Sequence, residues 1–251
     1  MGSRFLASAT PRVLAHRGLA IDAPENTLLA FARALAAGAT HLETDVQLSR
    51  DGHPVISHDP VVQTAGEPPL RIDRMRLADL QRIDLGQGET LPSLSEALAR
   101  FPDALFNIDI KAPSAAEAVA TVVRDAGAVD RVLLTSFSDA TRLRAVSLLP
   151  GVASSPGAAR LRLVVPAARA GSRQVTARAL RGCVAVQVPE RTRALRIVTP
   201  SFIRAMHDAG VEVHVWTVNE PADMARLLDW GVDGLVTDRC DLAAEVIASR
   251  T

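Results

Sequence analysis

Within the run HLETDVQLSRDGHPVISHDP, residues 41–60, three polar side chains stand two apart: Glu43, Asp45 and Gln47, interleaved with Leu42, Val46 and Leu48. On a β-strand such spacing puts both carboxylates on one face and the apolar side chains on the other. A turn at Arg50-Asp51-Gly52 then returns the chain through Pro54-Val55-Ile56-Ser57 to His58-Asp59-Pro60, bringing an imidazole back to the acids. Asn107, Asp109 and Lys111 repeat the pattern around Ile108 and Ile110, and His16-Arg17 closes an apolar run that starts at Arg12. Two acids facing a protein interior are costly unless a cation or a partner meets them, and hard oxygen donors favour Mg²⁺ or Ca²⁺ over zinc. Two imidazoles, a carboxylate-held divalent ion, an Arg and a Lys together suit attack on a phosphate ester. Cations would stabilise charge on the phosphoryl oxygens while one His accepts a proton and the other donates one. No G-x-S-x-G elbow supplies the nucleophile a carboxylic ester would need. Structural salt bridges remain the alternative reading of Glu43 and Asp45, and an internal ion pair that of Asp109 with Lys111.

These residues must be positioned by repeated strand–helix units. Strands are expected at 12–18, 41–48, 104–111, 132–137, 151–156, 183–188, 211–219 and 234–237, each followed by helix, with 54–58 as an additional return strand. Asn26 or Thr27 would cap the first helix, and the segment 160–182 carries the weakest pattern, read as helix to about residue 170. Eight parallel β/α units in 251 residues predict an α/β fold, a (β/α)8 TIM barrel, as a single domain over 1–251 with an insertion at about 59–90 marked by Gly66-Glu67-Pro68-Pro69. In such barrels chemistry lies at the C-terminal strand ends, where His16, Arg17, Glu43, Asp45, Asp109, Lys111, Gln187, Trp216, Asn219 and Asp238 fall, together with His58.

The composition, 48% hydrophobic and 22% charged with zero formal net charge, describes a globular protein with a sizeable core and no global attraction to nucleic acid or anionic membranes. Cys183 and Cys240 lack zinc-pair spacing and do not suggest a disulfide framework, so a reducing, cytoplasmic location is expected. No secretion signal, lipid anchor or transmembrane run is read in the chain. Lys111 is the only lysine in a sequence that otherwise writes its cations as Arg. Its compact ammonium is therefore a candidate for a specific task.

The motifs His16-Arg17-Gly18, Pro24-Glu25-Asn26-Thr27, Glu43-Thr44-Asp45-Val46, Asp51-Gly52 through His58-Asp59-Pro60, Leu91-Pro92-Ser93-Leu94, Asn107-Ile108-Asp109-Ile110-Lys111, Val215-Trp216-Thr217-Val218-Asn219 and Asp233-Gly234 with Thr237-Asp238 resemble, in order, those of the glycerophosphodiester phosphodiesterase family. The resemblance implies a barrel inserted after its second strand, His16 and His58 as the acid/base pair, and Glu43, Asp45 and Asp109 around Ca²⁺ or Mg²⁺. It also implies Arg17, Lys111 and Trp216 on the substrate, a small glycerophosphodiester cleaved to sn-glycerol 3-phosphate and an alcohol. Asp109 stands where the family usually has Glu, whereas the sphingomyelinase D-like branch resembles this chain there. A lysophospholipase D-like or sphingomyelinase D-like activity, or a barrel that binds phosphodiesters without turnover, are the alternatives.

Overall fold

The computed structural model describes residues 3–7, 9–63, 68–193 and 195–250; Gly66 and Glu67 of the expected insertion, and both ends of the expected 1–251 domain, lie outside them. Eleven strands are described: β1 (Arg12–His16), β2 (His41–Leu48), β3 (Pro54–Ile56), β4 (Val61–Val62), β5 (Leu70–Arg71), β6 (Leu105–Ile110), β7 (Val132–Thr135), β8 (Ala153–Ser154), β9 (Ala185–Pro189), β10 (Glu212–Trp216) and β11 (Gly234–Thr237). Eight of them form a parallel sheet in the order β8-β7-β6-β2-β1-β11-β10-β9, with β3 pairing antiparallel to β2. The Val184 N–H donates to Ser154 O at 2.9 Å and bridges the remaining seam. The architecture is the expected (β/α)8 barrel.

The helices are α1 (Leu28–Ala36), α2 (Leu77–Leu80), α3 (Leu94–Arg100), α4 (Ala116–Asp125), α5 (Asp139–Ser147), α6 (Ala158–Arg169), α7 (Arg173–Ala179), α8 (Pro200–Asp208), α9 (Pro221–Asp229) and α10 (Cys240–Ala248). Their starts follow local chemistry. Thr27, not Asn26, caps α1 by accepting from Ala30 N at 3.2 Å. Ser93 and Glu96 form a reciprocal capping box on α3, and Thr199 caps α8 ahead of Pro200 at its first position. The weakly patterned segment 160–182 holds two helices where one was read, because Gly171 at φ +70° breaks the run.

Apolar faces of the strands and the inner stripes of the helices form one continuous layer, in which Phe31, Leu42, Phe106, Ile108, Val119, Val213 and Leu235 are fully buried. A smaller cluster of Phe5, Leu14, Leu133, Ala153, Ala185 and Val236 fills the barrel. Phe5 comes from a 3-10 turn, Arg4–Leu6, and meets the buried ring of His41 edge-on at 4.5 Å. Between β3 and α3 the excursion carries the β4–β5 ladder and its own apolar cluster of Val55, Val62, Ile72, Leu80, Ile83 and Leu91.

Candidate active site

One cleft of about 250 Å³ brings together residues from the C-terminal ends of the barrel strands. Of the strand-end residues expected there, His16, Arg17, Glu43, Asp45, His58, Asp109, Lys111, Gln187 and Trp216 line it, whereas Asn219 and Asp238 stand behind His16 rather than in the lining. Strand register explains the gathering. His16 is paired with Glu43 across β1–β2, and Asp45 with Asp109 across β2–β6, so side chains distant in the chain become neighbours on one interior face.

Each histidine is tied by Nδ1 to a carboxylate. His16 Nδ1 is 2.6 Å from Asp238 Oδ1, and His58 Nδ1 is 2.8 Å from Asp59 Oδ1. Asp238 is itself fixed, since Asn219 Nδ2 donates to its Oδ2 at 2.7 Å while Asn219 Oδ1 accepts from the Thr237 hydroxyl and Asp238 N. The His16 hydrogen bond, helped by Asn219 and opposed by burial, holds the Asp238 carboxyl below the usual range. An ionised carboxylate can only accept, so the Nδ1 hydrogen faces Asp238 and Nε2 is the other, acceptor nitrogen. Gln47, which the sequence pattern gave no role, donates to His58 O at 2.8 Å and anchors that loop.

Three acids share the interior. Burial, with Asp45 and Asp109 adding repulsion, pushes the Glu43 carboxyl well above its ordinary range. Burial likewise raises Asp109, against the pull of Lys111. Lys111 Nζ sits between the two aspartates, 2.9 Å from Asp45 Oδ1 and 2.7 Å from Asp109 Oδ2. Burial works against its ammonium, but Asp109 and Asp45 outweigh it and raise its pKa. Arg17 lies against Asp45 Oδ2 at 3.1 Å and donates to Glu25 at 2.8 Å. The backbone that turns it inward is left-handed at Arg17 (φ 57°), and Gly18 follows because a Cβ there would lie 2.7 Å from the Ala30 backbone. Asn26, also left-handed at φ 58°, donates to Asp45 Oδ2 at 3.2 Å and accepts from the Thr44 hydroxyl.

Among the described residues no group of three or more His, Cys, Asp or Glu is arranged to hold a metal ion; Lys111 pairs with Asp45 and Asp109, and Arg17 lies against Asp45. The donor set nevertheless fits a hard divalent cation. It offers only carboxylate oxygens from Glu43, Asp45 and Asp109, and Asp109 Oδ1 is buried without a hydrogen-bond partner.

The far wall was not legible as a site. Phe137, 62% exposed, meets Trp216 edge-on at 6.1 Å and lies under the Lys111 ammonium, 5.5 Å from its ring centroid. Pro156, Ala158 and Leu161 continue this apolar side. Asp139 holds that segment in place by accepting from Gly157 N and Arg160 N, both at 3.1 Å. A single aromatic after a strand carries no signal in the chain; only the approach of β7 and β10 ends makes it part of a cleft. His41, His53 and His207 are absent from the cleft: His41 is fully buried, His53 lies at the exposed turn, and His207 pairs with Asp233 at 2.7 Å.

Residues 16–242 match the model of the glycerophosphoryl diester phosphodiesterase family. A Mycobacterium tuberculosis protein named "Probable glycerophosphodiester phosphodiesterase 2" is 40% identical over 98% of this chain and 94% of its own length. A Caldanaerobacter subterraneus glycerophosphodiester phosphodiesterase is 30% identical over 90% of this chain and 93% of its own. Among solved structures, an Oleispira antarctica phosphodiesterase in complex with the product sn-glycerol-3-phosphate superposes with a TM-score of 0.77 at 25% identity, covering 95% of this chain and 97% of that one. Barrel, motif order and near full-length similarity agree, and the chain belongs to the glycerophosphoryl diester phosphodiesterase family.

Proposed function

We propose that this protein hydrolyses small glycerophosphodiesters to sn-glycerol 3-phosphate and an alcohol, using His16 and His58 as the proton-transfer pair. The observation that carries the reading is that both imidazoles line one cleft with Nδ1 tied to a carboxylate, beside Arg17 and Lys111. One Nε2 takes the proton of the attacking hydroxyl as the new P–O bond forms. The other imidazole, protonated, gives its proton to the alcohol oxygen as the old P–O bond breaks. Where the attacking hydroxyl is the neighbouring one on glycerol, the first product is a cyclic phosphate, which a water then opens to glycerol 3-phosphate with the two histidines exchanging roles. Arg17 and Lys111 face the phosphoryl oxygens, where charge builds. Glu43, Asp45 and Asp109 would hold Ca²⁺ or Mg²⁺, which supplies further Lewis-acid stabilisation when bound. A cytoplasmic location is supported by two buried free thiols, Cys183 and Cys240. No helix among the described residues is long and apolar enough to cross a membrane.

Purified protein incubated with glycerophosphocholine and Ca²⁺ or Mg²⁺ should release glycerol 3-phosphate. His16→Ala or His58→Ala should each lower the rate by about 10²–10⁴-fold. Turnover indifferent to both histidines sinks the mechanism, and tight binding without product would identify a binding barrel. A lysolipid reading is favoured by the Phe137 wall, whose exposed ring, with Pro156 and Leu161, offers apolar surface to an acyl chain. Phe137→Ser should then depress lysophosphatidylcholine cleavage more than glycerophosphocholine cleavage; an equal effect on both would remove that reading.

A further inference from the structure

The floor of the cleft holds a second polar group, made of neutral side chains, to which the chemistry above gives no part. Asn107 on β6 and Gln187 on β9 line it. Gln187 Nε2 donates to Asn107 Oδ1 at 2.9 Å and lies 3.5 Å from His214 Nδ1, while Ser155 Oγ lies 3.4 Å from Gln187 Oε1. His214 is fully buried, and its Nε2 is 3.0 Å from Glu212 Oε2. Arg12 clasps both oxygens of Glu212 at 2.8 Å. Burial works against ionisation of Glu212, but the bonds from Arg12 and His214 outweigh it and hold the carboxyl at about 2.

This chain of contacts has a direction. An ionised Glu212 only accepts, so His214 carries its hydrogen on Nε2, and in the neutral ring Nδ1 is an acceptor. Gln187 must therefore turn its NH₂ toward His214, which also places an N–H on Asn107 Oδ1 and leaves its own Oε1 for the Ser155 hydroxyl. With Gln187 donating to Oδ1, the amide is fixed in orientation and Asn107 presents its NH₂ as the donor that can serve the cleft. Arg12 and Glu212 are the first residues of β1 and β10, so an ion pair at the opposite end of the barrel orients an amide at the cleft floor. The barrel makes room for the relay: a Cβ at Gly234 would lie 2.7 Å from the His214 ring.

The cations of the cleft, Arg17 and Lys111, follow the ends of β1 and β6, whereas Asn107 lies within β6, in register with Glu43 and two register positions deeper than Asp45 and Asp109. A neutral NH₂ donor beside a carboxylate suits a hydroxyl, which both accepts and donates, better than an anionic phosphoryl oxygen. We propose that Asn107 binds a glycerol hydroxyl of the substrate and that Gln187 is its positioning residue, making this floor the element that selects glycerol-bearing phosphodiesters. The proposal rests on the glycerophosphodiester reading.

The test compares glycerophosphocholine with bis(p-nitrophenyl) phosphate, a phosphodiester without glycerol, across Asn107→Ala, Gln187→Glu and the double variant. Asn107→Ala should lower kcat/KM for glycerophosphocholine about tenfold, mainly through KM, and leave the second substrate within about twofold. Gln187→Glu keeps the side-chain volume but can only accept from Asn107, so it turns that amide and presents an acceptor to the cleft. It should reproduce the selective loss, and the double variant should fall no lower than Asn107→Ala alone. Calorimetry gives an arm independent of turnover: Asn107→Ala should weaken glycerol 3-phosphate binding about tenfold and leave inorganic phosphate binding unchanged. Equal loss for both substrates, equal weakening of both ligands, or an unaffected Asn107→Ala would each overturn the proposal. A wild-type protein that binds glycerol 3-phosphate but does not cleave glycerophosphocholine would instead count against the proposed function, while the two binding measurements still decide the role of Asn107.

Discussion

Replacing Lys111 with Met removes the ammonium from between Asp45 and Asp109 while keeping an unbranched chain of similar length. Nζ lies 2.9 and 2.7 Å from the two carboxylates, and the Lys111 side chain is only 19% exposed. Breaking a buried pair from one side costs about 3–5 kcal/mol, because the partners are left uncompensated. Taking the lower value, about 3 kcal/mol corresponds to a fall in Tm of about 6–12 °C for a domain of this size. The pH dependence separates this cause from a packing defect. Burial, with repulsion from the neighbouring acids, raises the Glu43 pKa above its ordinary 4.5, and burial raises that of Asp109 above 3.8 against the pull of Lys111, so the folded state binds protons more readily than the unfolded one. Their destabilising effect is full above the folded pKa values and fades as pH falls, and losing Lys111 widens that window. The difference in Tm between wild type and Lys111→Met should therefore be largest near pH 7 and shrink toward pH 5. Ca²⁺ should raise the Tm of the variant more than that of the wild type, since the same oxygens no longer hold an ammonium. Calorimetric melts at several pH values, with and without Ca²⁺, check all three. A variant within about 2 °C of wild type at pH 7, or a penalty independent of pH, would refute the reasoning.

Two further outcomes follow from the geometry. Burial, opposed by the bond to Phe5 O, depresses His41 from 6.5 to about 4, so the folded state resists its protonation. The stability gained from the neutral ring is full above pH 6.5 and is lost as pH falls toward 4, by about 3 kcal/mol. Urea unfolding should show His41→Gln losing less stability than wild type across that interval, and parallel curves would remove His41 as the cause. Asp238→Asn should leave KM nearly unchanged but lower kcat by about 10²–10⁴-fold. Asn219 donates to this position, so the new amide must offer it oxygen and turn NH₂ toward His16 Nδ1, forcing the opposite tautomer; unchanged kcat would exclude a tautomer role for Asp238.

Much of this was written in the chain. The two-residue spacing of Glu43 with Asp45 and of Asp109 with Lys111 dictates a shared strand face, because successive side chains alternate. The repeating strand–helix pattern calls for parallel β/α units, and their number, eight, favours a closed barrel over an open sheet; both expectations hold in the structure. The same spacing is silent about partners across strands. That Lys111 lies between two aspartates, that Asp238 and Asn219 orient His16 across the β1–β11 seam, and that Gln47, set aside on sequence grounds, anchors the His58 loop are facts of register and closure. Asn26 shows the division within one residue: its type suggested a helix cap, but Thr27 takes that bond and the left-handed turn sends Asn26 to Asp45. Local sequence determines which face a side chain occupies. Only the closed barrel decides which neighbour meets it there, because contacts between residues far apart in the chain depend on how all eight strands pair at once.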